Sequence, residues 1–165
     1  MYVLLRNARN NKGFSLLELM LVLAIISLIL SIAIPVYLGL RDKTRMEIFI
    51  ADGRSAIPEI YSWLQSATSP NQNAKEIDTN CDGMIDSEDM TNRELREAGV
   101  AKTFADCRNK VFKDKSPWSG QLPLWTIDPA MPPGQMTLIE ETDRIKIIGK
   151  SIGGGTVFQD YVRKS

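Results

Sequence analysis

Lys12-Gly13-Phe14-Ser15-Leu16-Leu17-Glu18-Leu19 opens an almost unbroken apolar run that ends near Leu40. From Phe14 to Ile34 that run would rise about 30 Å as an α-helix, the thickness of a bilayer core. The segment before it is basic, with Arg6, Arg9 and Lys12 and no acid over residues 1–13. A secretory signal is also basic then apolar, but it ends in a small-residue cleavage site. None follows here, where the run ends at Pro35-Val36-Tyr37. The pattern predicts a single-pass anchor with a cytoplasmic N-terminus. Arg41, Lys43 and Arg45 beyond the run leave the positive-inside bias weak. Glu18 does not fit a plain anchor. An acid at the centre of a membrane helix costs about 2.5–3.5 kcal/mol, so Glu18 calls for a partner.

The chain has 165 residues, room for one modest domain after the apolar segment. Formal net charge is zero, but the basic leader leaves the remainder acidic. That argues against a dedicated nucleic-acid binder. There is no histidine, which removes the commonest general base and metal ligand and every Ser-His or Cys-His arrangement. No nucleophile–base pair or catalytic metal cluster is visible, so an enzyme is not expected. Cys81 and Cys107 lie outside the apolar run. If the domain lies outside the cytoplasm, they can form a disulfide worth about 3 kcal/mol in the loop-entropy model. The other reading is two unrelated buried thiols.

The segment from Gly13 through Glu18 to Ile26, with Pro35 at its far end, closely resembles the class III signal of type IV pilins and pseudopilins. The resemblance implies that a membrane prepilin peptidase cuts between Gly13 and Phe14 and N-methylates Phe14. It implies a leader over 1–13, a transmembrane and filament-core helix over 14–40, and a head over 41–165. It also implies the pilin fold: an α+β chain whose long N-terminal helix packs on a small antiparallel sheet. The partners implied are other copies of the subunit, the peptidase, an inner-membrane assembly platform and, before assembly, the lipid bilayer. No nucleic acid is expected for the subunit alone. In such a filament Glu18 would pair with the Phe14 amine of a neighbour. A buried ion pair adds little net stability but can fix register, which sliding apolar helices cannot. A head-to-tail contact does not close and so propagates. Pro35 removes a helix hydrogen bond and is expected to kink or locally melt the helix.

Beyond the membrane segment, Met46, Phe49, Ile50, Ile57, Ile60 and Leu64 form an amphipathic stripe. Gly53 and Pro58 predict a bend or break. The charges on the other faces read as a solvated surface or as salt bridges between subunits. Ser66 to Asn73, with Pro70, reads as a loop.

The loop leads into Asp78-Thr79-Asn80-Cys81-Asp82-Gly83-Met84-Ile85-Asp86-Ser87-Glu88-Asp89, the twelve-residue calcium-loop pattern. Asp78, Asn80 and Asp82 would supply oxygens, Gly83 the sharp turn, Met84 its carbonyl, and Asp86 an oxygen often reached through water. Asp89 would close the site, and Ile85 is expected to point into the core. Closing with Asp resembles the dockerin variety of the loop, but this chain has one copy, so only the calcium loop carries over. The expected cofactor is structural calcium; the other reading is an acidic surface loop. A short helix is expected from Asp89 to Ala98, stopping at Gly99.

Leu122–Ile127, Met136–Glu140, Arg144–Ile148 and Thr156–Val162 read as three or four antiparallel strands, a sheet over 122–162. Gly153-Gly154-Gly155 reads as a turn, having no Lys-Ser/Thr of a phosphate loop. Trp118, Trp125 and Phe158 are expected in the core rather than in a ligand cage. Ser116-Pro117-Trp118-Ser119-Gly120 loosely resembles the Asp-Pro-Trp-Gly stretch of major pseudopilins in type II secretion.

These features converge on a filament subunit, inserted in a bacterial inner membrane with its head outside the cytoplasm. Two roles compete, a type IV pilus subunit at the cell surface and a periplasmic pseudopilin of type II secretion. The Pro-Trp stretch and the calcium loop favour the second. The long region before the sheet and the cysteine pair favour the first, which is preferred. A further reading is a membrane-anchored, calcium-dependent binding module.

Overall fold

The computed structural model describes residues 13–164. The elements are α1 (Leu16–Thr68), α2 (Asn92–Ala98), α3 (Val100–Cys107), a π-helical turn (Arg108–Phe112), β1 (Lys115–Ser116), β2 (Ser119–Pro123), β3 (Trp125–Thr126), β4 (Met136–Glu140), β5 (Arg144–Lys150) and β6 (Thr156–Arg163). The chain divides into two compact units, one ending at Arg41 and one beginning at Asp42. The layout is α+β.

In the first unit α1 is long and apolar enough to cross a membrane. The side chains from Phe14, just before the helix, through Leu40 are exposed, Leu16, Leu21, Ile25, Leu28 and Ile32 among them. Exposed leucine and isoleucine in such number need a surrounding that is not water.

The second unit is the head, and it holds the core. Its part of α1 buries Phe49, Gly53, Ala56, Ile60, Trp63, Leu64 and Ala67. These recur at three- and four-residue steps, one face of a helix. The stripe expected from sequence is present, with Ile50 and Ile57 partly buried at its margin. The expected break is not. The helix runs unbroken through Gly53 and Pro58. Proline inside a helix removes one hydrogen bond and costs about 3 kcal/mol, yet the buried side chains on either side hold the turn. Gly53 is a contact residue rather than a breaker. A Cβ there would meet Phe158 at 2.8 Å and Met136 at 2.9 Å.

The main sheet has the order β3-β4-β5-β6. β4 pairs β5 antiparallel, Leu138 opposite Ile147, and β5 pairs β6 antiparallel, Ile145 opposite Val162. β3 lies parallel to β4, so the sheet is mixed rather than wholly antiparallel. The strand expected over 122–127 is also split. Residues 119–123 pair with β1 in a separate hairpin, and only Trp125 and Thr126 join the main sheet. Leu124 is the crossing point: its N–H donates to the Asp114 carbonyl, and its own carbonyl accepts from Met136 N–H at 2.7 Å.

Trp125 is buried at the centre, edge-on to Phe104, which is edge-on to Trp63. Phe158 is buried, and Trp118 packs edge-on to Phe49 with ring centroids 5.0 Å apart. Trp125 and Phe158 are therefore core residues, and Trp118 is partly buried against that core. Arg108 ties helix to sheet. Its Nε donates to Asp114 Oδ2 at 2.7 Å, its Nη1 lies 3.4 Å from Glu59 Oε2, and Trp125 Nε1 donates to the same Asp114 oxygen at 2.8 Å.

Candidate functional site

Two constellations carry the chemistry, one in each unit. The first is the start of α1. Ser15 precedes the helix, and its Oγ accepts from Leu17 N–H at 3.3 Å. Glu18 reaches back, its Oε2 accepting from Ser15 N–H at 3.1 Å. Two backbone donors at the helix start are thereby satisfied, although the Ser15 hydroxyl takes the N–H of the second helical residue and not that of Glu18, so the capping box is not closed. The Ser15-x-x-Glu18 spacing is that of a capping box, of which only the Glu18 half forms. The carboxylate thus sits at the positive end of the helix dipole. Phe14 is exposed. Residues 1–12, most of the expected leader, lie outside the described residues. Pro35 lies within the helix, which is unbroken there.

The second constellation is the loop 78–89 in the head. Gly83 has φ +96°, the left-handed turn expected of it. The acidic side chains fold the loop on itself. Asp78 Oδ2 accepts from Gly83 N–H at 2.8 Å and its Oδ1 from Asp82 N–H at 3.2 Å. Asn80 Oδ1 accepts from Asp82 N–H at 2.9 Å, Asp82 Oδ1 from Met84 N–H at 2.9 Å, and Asp86 Oδ1 from Glu88 N–H at 2.7 Å.

Asp89 is the hub and is buried. Its Oδ1 accepts from Thr79 N–H at 2.6 Å, Asn80 N–H at 3.2 Å and the Thr79 hydroxyl at 3.1 Å. Its Oδ2 accepts from Asp86 N–H at 2.9 Å. Burial works against its charge, but the N–H groups of Asp86, Asn80 and Thr79, with the Thr79 hydroxyl, outweigh it and hold the carboxyl below its ordinary value.

Among the described residues, no three His, Cys, Asp or Glu side chains stand close enough to hold one metal ion. The donor set nevertheless suits a hard cation, being carboxylate, amide and carbonyl oxygens in a loop with the required glycine turn. A carboxylate oxygen that accepts one N–H keeps a second lone pair. Ile85 departs from expectation. It is 54% exposed, and Met84 is exposed too.

Cys81 and Cys107 are joined, with Cα atoms 5.8 Å apart. The bond anchors the loop to the last residue of α3. Cys81 itself has φ +63°, a left-handed conformation unusual for a residue other than glycine. Lys75 was not singled out from sequence. Its Nζ donates to the carbonyls of Ser87 at 2.6 Å and Asp89 at 2.5 Å, closing the loop from outside. After the loop, Thr91 caps α2 in a full capping box with Glu94, and Gly99 ends it, φ +91°. The helix begins at Asn92, later than the sequence suggested, because Thr91 takes the cap.

Residues 8–34 match the prokaryotic N-terminal methylation motif. The matched stretch contains Gly13, Phe14 and Glu18 and ends one residue before Pro35. No curated protein and no solved structure matches the chain. The chain therefore carries a prepilin-type signal ahead of an apolar helix, as a membrane-anchored, type IV pilin-like prepilin does. Such a signal implies processing by a prepilin peptidase and assembly into filaments.

Proposed function

We propose that this chain is a structural subunit of a type IV pilus. It inserts in the inner membrane as a prepilin, is cut after Gly13, is N-methylated at Phe14, and polymerises through its N-terminal helix. The observation that carries the reading is the methylation motif over 8–34 running into a helix whose apolar side chains are exposed. Glu18 supplies the register. Its carboxylate is already positioned by Ser15 N–H, and a neighbour's Phe14 amine is the cation that would make it tolerable in hydrocarbon. Glu18→Ala should abolish or impair filaments seen by electron microscopy, while mass spectrometry of the subunit still finds N-methylated Phe14. Normal filaments from that variant would remove the role given to Glu18 and favour a simple anchor for a binding module.

A periplasmic pseudopilus is the second reading, supported by the Ser116-Pro117-Trp118 stretch and the acidic loop. Deleting the gene separates the two. Loss of surface fibres with protein secretion intact supports the pilus, and the reverse supports the pseudopilus.

We also propose that Asp78, Asn80, Asp82, Asp86, Asp89 and the Met84 carbonyl hold a structural calcium ion. Bound calcium would neutralise the mutual repulsion of the loop carboxylates and clamp the turn that the disulfide anchors. Calcium should then raise the melting temperature of the full chain in detergent, and a chelator should reverse the rise. No shift, together with no heat of calcium binding by calorimetry, would reject the assignment.

A further inference from the structure

From residue 80 to 88, Cys81 alone is buried, and residues 82–88 are exposed. The hydrogen bonds of residues 80–86 run to Asp78, to Asp89 or to one another. The bond from Cys81 to Cys107, the last residue of α3, is therefore what ties this arm of the loop to the helices. The far end of the loop is held separately, by the Asp89 carboxylate and by Lys75.

A cleft of about 310 Å³ opens beside the bond, and Asn80, Lys102, Asp106, Cys107 and Lys110 are among its lining residues. Lys110 lies 3.6 Å from Asp106 and is matched by it. Lys102 forms no ion pair among the described residues, so the cleft keeps one unmatched ammonium. The attacking species in disulfide exchange is a thiolate, and a nearby cation favours that anion.

We propose that the Cys81–Cys107 bond is a redox latch on the acidic loop: a dithiol reaches it through this cleft in the folded head, and its reduction releases the arm 80–86 while the core stays in place. The dithiol's thiolate attacks Sγ of Cys107 and forms a new S–S bond. The Cys81–Cys107 bond breaks, and its electron pair leaves on Cys81 Sγ, which takes a proton. The second thiol of the reductant gives up its proton and closes on the first, and Cys107 leaves as a thiolate and is protonated. The protein gains two thiols, and the dithiol becomes a disulfide.

Cys81 is held at φ +63°, a left-handed conformation that is unfavourable for a residue with a side chain. Freed of its bond, it returns to the ordinary region, and Asn80 and Asp82 on either side turn with it. The aromatic core of Trp63, Phe104 and Trp125 comes from elements outside the loop and does not need the arm. The latch does not rest on the calcium reading and is tested without calcium.

The full chain in detergent and calcium-free buffer is treated with dithiothreitol. Thiols are trapped with iodoacetamide and counted by mass spectrometry, and hydrogen exchange is followed in parallel. Two thiols are expected while tryptophan fluorescence keeps its folded signal. The amides of Asp82, Gly83 and Met84 should lose protection, and those of β4 and β5 should keep it. Lys102→Glu should slow reduction by dithiothreitol about ten-fold and leave reduction by an uncharged phosphine unchanged. Reduction that waits for denaturant, or that is as fast in Lys102→Glu, overturns attack through the cleft. Unchanged exchange in the loop after reduction, or equal loss of protection in β4 and β5, overturns the latch.

Discussion

Asp89 shows how a side chain expected to hold a ligand also holds the fold. Three backbone N–H groups and one hydroxyl converge on its buried carboxylate. Removing an acceptor that leaves buried donors unsatisfied costs about 1–3 kcal/mol. Asp89→Ala should therefore lower the stability of the full chain by about 3 kcal/mol, even without calcium. Asp82 is exposed and accepts a single loop N–H from Met84 and one side-chain contact from Asn80. Water can replace it, so Asp82→Ala should cost no more than about 0.5 kcal/mol in calcium-free buffer. If calcium binds, both variants lose its stabilising effect. Thermal melts with and without calcium thus separate the fold role of Asp89 from the ligand role it shares with Asp82. Equal melting temperatures for the two variants without calcium would contradict the hub assigned to Asp89.

At the scale of elements, α1 meets the sheet at two glycines. A Cβ on Gly149 would lie 2.7 Å from Phe49 and from Met136, and one on Gly53 would press on Phe158. Gly53→Ala gains about 1 kcal/mol of helix propensity. The clash with an aromatic ring in a packed core costs about 1–3 kcal/mol, so a net loss is expected, read as a lower melting temperature. A higher one would show that the contact relaxes freely. The sequence marks Gly53 only as a weak point in a helix; its true role depends on strands a hundred residues away. The same limit explains other differences. β4, β5 and β6 were legible because each alternates or clusters apolar residues between strong turn signals. α3 was not, because it is eight residues long and begins directly after Gly99, which reads as a stop. The strand at 122–127 reads as one run, and only the pairing of Leu124 with two different neighbours divides it. At the site, the loop pattern was legible from spacing, and the cysteine bond followed from placing the head outside the cytoplasm, the structure deciding for it over two separate thiols. The outward turn of Ile85 was not, since the loop pattern specifies oxygens and a glycine turn but not what packs beside the loop.

For the molecule as a whole, the absence of histidine leaves carboxylates to set stability on the acid side of neutrality. Two groups of them act in opposite directions. Burial, then the nearby Asp114 carboxylate, raise Asp52 above its ordinary 3.8, with Arg108 opposing. Burial likewise raises Glu59 above 4.5, against the pull of Arg108. A raised acid binds its proton more tightly in the folded chain. As pH falls from 7 through these folded values, protonation relieves the repulsion and stability rises, the gain being complete below the ordinary values. Asp89 has the opposite sign. Its carboxyl is held below 3.8, so its contribution is present above that pH and is lost as pH falls through its folded value. Melting temperature should therefore pass through a maximum between neutrality and pH 3.8, then fall. Asp52→Asn removes a charge that folding disfavours. It should raise the melting temperature at pH 7 by about 2 °C and flatten the rise toward acid. The check is a pH series on the full chain and the variant in detergent and calcium-free buffer. A steady fall from pH 7 downward, unchanged by Asp52→Asn, would mean that Arg108 already neutralises the cluster of Asp52, Glu59 and Asp114 that surrounds it.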